Sequence, residues 1–270
     1  ESHLLVTEVE SLRSDKELPG LVLRERQIGG TQLAQNATAP ESREGEARLD
    51  ARSGDHETAR RKVLERVLEQ LEAHVILHEV EIVQHSYGYY VDKAQWKSLR
   101  DLFADDATLE IGGKGVFLGK ARVHEYMSVG MGAPGPRAGL LIDHQQFQWL
   151  PTIMEDGVTA KARCIAFVMS SGGWGHNYYE DVFVKEGGVW KFKTLRGPFN
   201  MYSGYRQGWV DNVTVNTYPE KFPPYPDLPP TVIYLTYPSY YAEPFHYPNP
   251  VTGRTAPKPS PRAGGEAFGR

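Results

Sequence analysis

The sequence predicts an α+β domain over residues 58 to 200, in which a helical start is covered by a mostly antiparallel sheet. Three observations predict it. Apolar residues recur at helical steps through Leu64, Val67 and Leu71, and again through Ile76, Val80, Val83, Tyr87 and Tyr90. From Leu140 onward the chain reads as long alternating segments that suit half-buried strands. Finally, Glu186-Gly187-Gly188 joins two such segments as a hairpin turn should.

The elements follow in order. Helical period begins near Thr58 and gives either one long helix or two joined near Glu72-Ala73. Asp92 to Ala94 interrupts it, and Trp96, Leu99, Leu102 and Phe103 make a second short apolar face. Asp105-Asp106 reads as a turn. Residues 107–111 and 116–118 read as short strands across Gly112-Gly113-Lys114-Gly115, and 119–129 returns to helix. MGAPGPRAG is a loop, followed by strands over 140–153, 158–169, 175–185 and 189–196.

Outside this core the composition changes. Residues 1–57 end in a polar stretch that cannot bury enough apolar surface to order itself, so we expect a disordered or draped N-terminal arm. Fifteen tyrosines and nineteen prolines are the unusual counts, and both gather toward the C-terminus. Prolines forbid helix and central strand there, so residues 201–270 read as a Tyr/Pro-rich extension wrapping the body or a neighbouring subunit.

Composition also excludes several functions. A net charge of -4 argues against a nucleic-acid partner. No run approaches the roughly 18 apolar residues of a membrane span. The one cysteine, Cys164, excludes an internal disulfide, lies in an alternating apolar stretch as an inert buried thiol would, and gives no sign of an oxidising compartment. A cytoplasmic protein is expected, although a chain beginning with Glu leaves room for a removed leader. His74, His78 and His85 recur on the first helix without a second cluster at zinc-site spacing. With no phosphate loop, dinucleotide fingerprint or nucleophile elbow, we expect neither cofactor nor metal.

The residues left to do chemistry are few. Asn177, Tyr179 and Asp181 share one side of a strand. A buried Asp181 needs a partner, either Arg196 on the next strand or His144; the bland reading is an ion pair at the edge of the sheet. Asp92 follows the helical stripe, where the helix dipole is unfavourable to a carboxylate, and it either caps the next helix or belongs to a site. Tyr87 and Tyr90 lie on the buried stripe and are core unless they face a cavity. His144 is the natural general base, because its unperturbed pKa lies nearest neutrality.

Both ends of the core carry a resemblance. Tyr87, Asp92, Trp96 and LRDLFADDATLEIGGKGVFLGK at one end, and YYEDVFVKEGGVWKFKTLR at the other, resemble the SnoaL-like family of the nuclear transport factor 2-like superfamily. The likeness covers roughly residues 70 to 200 and implies a cone-shaped barrel made of a curved, mixed, mostly antiparallel sheet packed on N-terminal helices. The family includes dehydratases, cyclases, isomerases, hydrolases, lyases and non-catalytic subunits, so the reaction is not implied. Scytalone dehydratase-type members are similar in local spacing. That likeness matches Asp92-Lys93-Ala94-Gln95-Trp96 to an acidic motif, His144 to a catalytic histidine, and Asn177 with Tyr179 to a polar pair. The position of a second histidine falls near Val168, which is apolar.

The resemblance thus implies a cofactor-independent lyase acting on a small aromatic molecule by proton transfer and elimination. His144, Asp92, Asp181 and Tyr87 would be catalytic, and Tyr90, Trp96, Asn177, Tyr179 and Arg196 would hold the substrate. The long Tyr/Pro tail is also similar to that of SnoaL-like lyases acting on lignin-derived biaryls. Members commonly pair through the convex sheet, so a homodimer or higher oligomer is expected. The alternatives are an isomerase or hydrolase in the same pocket, or a non-catalytic small subunit like those of ring-hydroxylating dioxygenases. An enzyme should line one open cavity with Asp92, His144 and Asp181, whereas such a subunit should fill its barrel with apolar side chains.

Overall fold

Glu72 and Ala73 are both good helix formers, and the first helix runs through them without a break. In a computed structural model, which describes residues 43–209, 223–232, 236–237 and 243–257 and side chains from residue 56 on, α1 spans Arg43–Asp92. The expected arm lies outside the described residues up to 42; from Arg43 its backbone is helical. The chain divides into two compact units, Glu1–Thr58 and Ala59–Arg270, and everything below concerns the second.

After α1 come α2 (Trp96–Asp101), β1 (Phe103–Ile111), β2 (Val116–Leu118) and α3 (Lys120–Glu125). Then follow β3 (Ile142–Ile153), β4 (Thr159–Ser170), β5 (Trp174–Glu186), β6 (Val189–Gly197) and β7 (Phe199–Ser203). They form a curved seven-stranded sheet in the order β2-β1-β6-β5-β4-β3, with β7 paired to β5. It is mixed because β1 runs parallel to β6, while the other pairs are antiparallel. This is the α+β class expected.

Three local expectations are corrected. Asp105 and Asp106 are not a turn but exposed residues of β1, where a register shift against β6 between Phe103 and Thr108 breaks the alternation. The helix expected over 119–129 is α-helical only to Glu125 and continues as one wider π turn, Tyr126–Gly130. β7 falls where Pro198 and the change of composition had suggested the extension, and its short pairing carries little periodic signal.

The core sits between α1 and the inner face of the sheet. Val80, Val83, Tyr87 and Val91 of α1 face Ala160, Ala162, Cys164 and Ala166 of β4. Small side chains on β4 leave room for large rings: Phe192 stacks on Phe103 at 5.0 Å and lies 4.8 Å from Phe183 and 5.8 Å from Tyr87. Each such ring, buried whole, contributes about 1.5–3 kcal/mol.

The outer face is covered by described parts of the C-terminal segment. Thr231 donates its backbone N–H and hydroxyl to Glu110 at 2.8 and 2.7 Å. Asp227 accepts from the Leu118 amide and the Arg122 guanidinium. Farther along, Arg163 pairs with Glu180, donates to the Glu243 and Pro244 carbonyls, and lies 4.6 Å from the Phe245 ring centre. His246 joins them through Nδ1, 3.2 Å from Glu180. Burial, and then the nearby Arg163 and Lys161, hold its pKa down to about 4. The ring is therefore neutral at physiological pH, and its contact with Glu180 is a hydrogen bond from Nδ1–H. Among the described residues no helix is long and apolar enough to cross a membrane.

Candidate active site

Asp92 is the last residue of α1, and its carboxylate does not cap α2; Gln95 occupies that position without a side-chain cap bond. It reaches instead across to the start of β3. The His144 backbone N–H lies 3.1 Å from both carboxylate oxygens, and Nδ1 lies 2.6 Å from Oδ1. A carboxylate facing Nδ1 calls for a proton there, so the neutral ring carries its free lone pair on Nε2. Both side chains keep 11% of their surface exposed, enough to meet a small molecule.

The pair opens on a cleft of about 270 Å³ lined by His85, Gly88, Tyr89, Asp143, Gln145 and Gln146 as well. His85, Gly88, Tyr89 and Asp92 lie three or four residues apart, so one face of α1 forms one wall. That spacing was the available sequence signal for His85 and Tyr89, which sequence reasoning did not place in the site. The opposite wall is β3, whose inward turn depends on a bulge. Gln148 has φ of 55° where the β3–β4 register shifts between Phe147 and Leu150. Beyond the bulge Trp149 turns in toward His85 and Phe183, each at 6.2 Å between ring centres.

A second group of expected residues lies in the closed interior. Tyr87 and Tyr179 meet edge to face, 5.9 Å between ring centres, and Asn177 lies beside the Tyr179 hydroxyl. Burial is the largest cause raising both phenol pKa values. Asp181 is likewise enclosed: Oδ1 accepts the Arg196 backbone N–H at 3.0 Å and Oδ2 has no hydrogen bond. The Gln84 amide is close by in poor hydrogen-bond geometry. Burial pushes the Asp181 pKa well up, partly offset by the Arg196 N–H. Cys164 is raised the same way, as suits an inert thiol.

Asp181 therefore does not line the His144 cleft. His144 pairs through Val168 with Gly175, whereas Asp181 is six residues farther along β5, about 20 Å away along the strand. Arg196 is not its ion-pair partner. Leu195 takes the inward position on β6, so Arg196 alternates outward to Glu110, with Nε 3.3 Å from Oε2, and to Glu243. Trp96 is buried elsewhere, its Nε1–H donating to the Gly132 carbonyl at 2.8 Å beside a separate cleft. Tyr90 packs against the core. The position matched to a second histidine, Val168, lies directly across the ladder from His144.

Between cleft and interior, several buried polar atoms have no hydrogen-bond partner: both amide atoms of Gln84, Gln146 Nε2, Asn177 Oδ1 and Asp181 Oδ2. The register aligns Gln146 with Ala166 and Ala166 with Asn177, so one small side chain separates the two amides. Native cores rarely leave such groups bare, and functional sites are where they do. Among the described residues no cluster of three or more His, Cys, Asp or Glu could hold a metal ion.

Residues 76–196 match the family model of the SnoaL-like domain. Among solved structures, the chain is similar to a scytalone dehydratase candidate from Novosphingobium aromaticivorans DSM 12444, with 18% identity and a TM-score of 0.44 over 52% of this chain and 93% of that one. It is similar to the hexachlorocyclohexane dehydrochlorinase LinA-type3 from Novosphingobium barchaimii LL02, with 16% identity and a TM-score of 0.44 over 50% and 93%. A third is ActVI-ORFA from Streptomyces coelicolor, with 12% identity and a TM-score of 0.40 over 46% and 96%. No curated protein sequence matches the chain.

Proposed function

We propose that the protein is a cofactor-independent lyase that acts on a small aromatic molecule by acid–base proton transfer. The observation that carries this reading is the Asp92–His144 pair, 2.6 Å apart and open to a cleft. Asp92 holds the ring so that Nε2 is the base, and stabilises the positive charge that proton transfer puts on it. Tyr89 supplies an exposed ring at the rim, and Gln145 and Gln146 supply amides to orient oxygen atoms.

Two eliminations suit one such base. In the first, Nε2 takes the proton of a terminal hydroxyl on a lignin-derived aryl-propane diol. The adjacent carbon–carbon bond breaks and releases formaldehyde. Its electron pair forms the new double bond and expels the benzylic oxygen, which takes the proton back and leaves as water. In the second, Nε2 removes a proton beside a carbonyl and returns it to a departing hydroxyl, releasing water alone.

One observation favours a non-catalytic subunit instead: the interior is filled by Tyr87, Phe103, Tyr179 and Phe192, and Asp181 is sealed within it. Turnover decides between the readings. The purified protein is to be incubated with a panel of biaryl diols and β-hydroxy ketones, assaying formaldehyde and unsaturated product. Formaldehyde from any diol supports the first elimination. Unsaturated product without it supports the second, and no turnover on any member removes the lyase reading.

A further inference from the structure

The face of α1 that walls the cleft continues toward the N-terminus as an apolar stripe turned away from the core. From Asp92 back through Tyr89, His85, Ile82, His78, His74, Leu71 and Val67 to Leu64, every step is three or four residues. The core face, Val80, Val83, Tyr87 and Val91, is a different one. At 100° per residue the two lie on roughly opposite sides of the helix. Val63, Leu64, Val67 and Leu71 are between 43% and 63% exposed, and Ile82 is 47% exposed. The sequence alone read Leu64 to Tyr90 as one buried stripe, but its first half faces away from the domain.

From this we infer that residues 60–75 of α1 pair antiparallel with the same segment of a second copy, about a twofold axis between Val67 and Leu68. That axis sets Leu64 against Leu71 and Val67 against Leu68 of the other copy, so apolar side chains meet across it. Steps alternating between three and four residues suit a seam between two helices. Charge selects the direction. Arg60, Arg61, Lys62 and Arg66 outweigh Glu65 and make one end of the segment basic, and Glu69 and Glu72 make the other acidic. Antiparallel pairing brings basic end to acidic end and opposes the helix dipoles, whereas parallel pairing stacks like on like. The sheet's outer face is not available for the same purpose over Arg163, Tyr178 and Glu180, because residues 243–246 already cover it.

Sedimentation velocity of the full chain over about 1–100 μM tests the pairing. A monomer–dimer equilibrium is expected, with Leu64→Glu/Leu71→Glu raising the dimer Kd at least about 100-fold while helical circular dichroism is kept. A monomer at every concentration, whatever else covers the stripe, overturns the inference, as does a wild-type Kd in the double variant. Orientation is read by cross-linking, since the native Cys164 is buried. A chain carrying Leu64→Cys, mixed with one carrying Leu71→Cys, should form the mixed disulfide under mild oxidation. Disulfides joining like chains only would overturn the antiparallel arrangement.

Discussion

Oδ1 of Asp92 lies 2.6 Å from Nδ1 of His144, across 52 residues of chain, and the same carboxylate takes the His144 backbone N–H. Two donors from one residue fix both the rotamer of the acid and the plane of the ring. The contact also resolves a local conflict, because a carboxylate at the C-terminal end of α1 faces the negative end of the helix dipole. What would be a destabilising position alone becomes a site that favours positive charge on its neighbour. In the proposed lyase, one contact would therefore meet both the structural and the catalytic demands on Asp92.

If that contact organises catalysis, its two halves should fail differently. His144→Ala removes the base and should lower kcat by about 10²–10⁴-fold. Asp92→Asn keeps the shape but lets the amide donate to Nδ1, which turns Nε2 into a donor; kcat should fall about 10- to 1,000-fold with KM within about threefold. Single-turnover assays on whichever panel member is converted measure both. Equal rates in wild type and His144→Ala would remove the histidine from the mechanism.

Much of this was legible in the residues, for identifiable reasons. The strands β3 to β6 were foreseen within two residues at either end because their alternation is long and hairpin glycines punctuate it. Asp92 and His144 were both singled out and expected in one cavity together with Asp181, and the fold puts the first two in contact and the third elsewhere. What stayed hidden is what alternation cannot report. The Gln148 bulge turns one half of β3 relative to the other, and no residue type announces it. Asp181 was placed with His144 because both face inward, yet the same face extends some 20 Å along β5. The outward turn of Arg196 was hidden by the register shift between β5 and β6 next to Val182.

Sealed in the core, Asp181 should make stability depend on pH in a readable direction. Its folded pKa is raised by burial, so below its ordinary value near 3.8 it is protonated in both states and contributes no pH dependence. As pH rises past that value the unfolded chain releases the proton and the folded one holds it, so stability falls until the raised folded pKa is passed. Asp181→Asn keeps an acceptor for the Arg196 N–H and removes this loss. Urea midpoints should favour the variant increasingly as pH rises above 4, with turnover within a few-fold of wild type. Parallel pH curves would mean that Asp181 is ionised and paired.

His246 runs the other way. Its folded pKa is depressed to about 4 from an ordinary 6.5, chiefly by burial. Above 6.5 the ring is neutral in both states. As pH falls from there toward 4 the unfolded chain gains a proton that the folded one refuses, and stability is lost across that window. His246→Gln should flatten the fall in melting temperature between pH 6.5 and 4.5, at the cost of a slightly lower value at pH 7.5. An unchanged slope would place the acid sensitivity in some other group.

Gly88 tests whether the cleft, rather than the interior, receives substrate. It lies on α1 one turn before Asp92, where a Cβ would come within 2.8 Å of Gln146 Nε2. That atom is the free end of a flexible side chain and has no hydrogen bond to lose, so the amide can swing aside. Replacing glycine by alanine within a helix favours the helix by up to about 1 kcal/mol. Gly88→Ala should therefore leave the melting temperature unchanged or slightly higher. The added methyl and displaced amide nevertheless intrude on a space of only about 270 Å³. KM should rise about 5- to 50-fold for bulky biaryl substrates and much less for single-ring ones. A variant that loses stability in step with activity would show that the glycine serves packing, and one that discriminates by substrate size would identify the α1–β3 cleft as the place where the ring system binds.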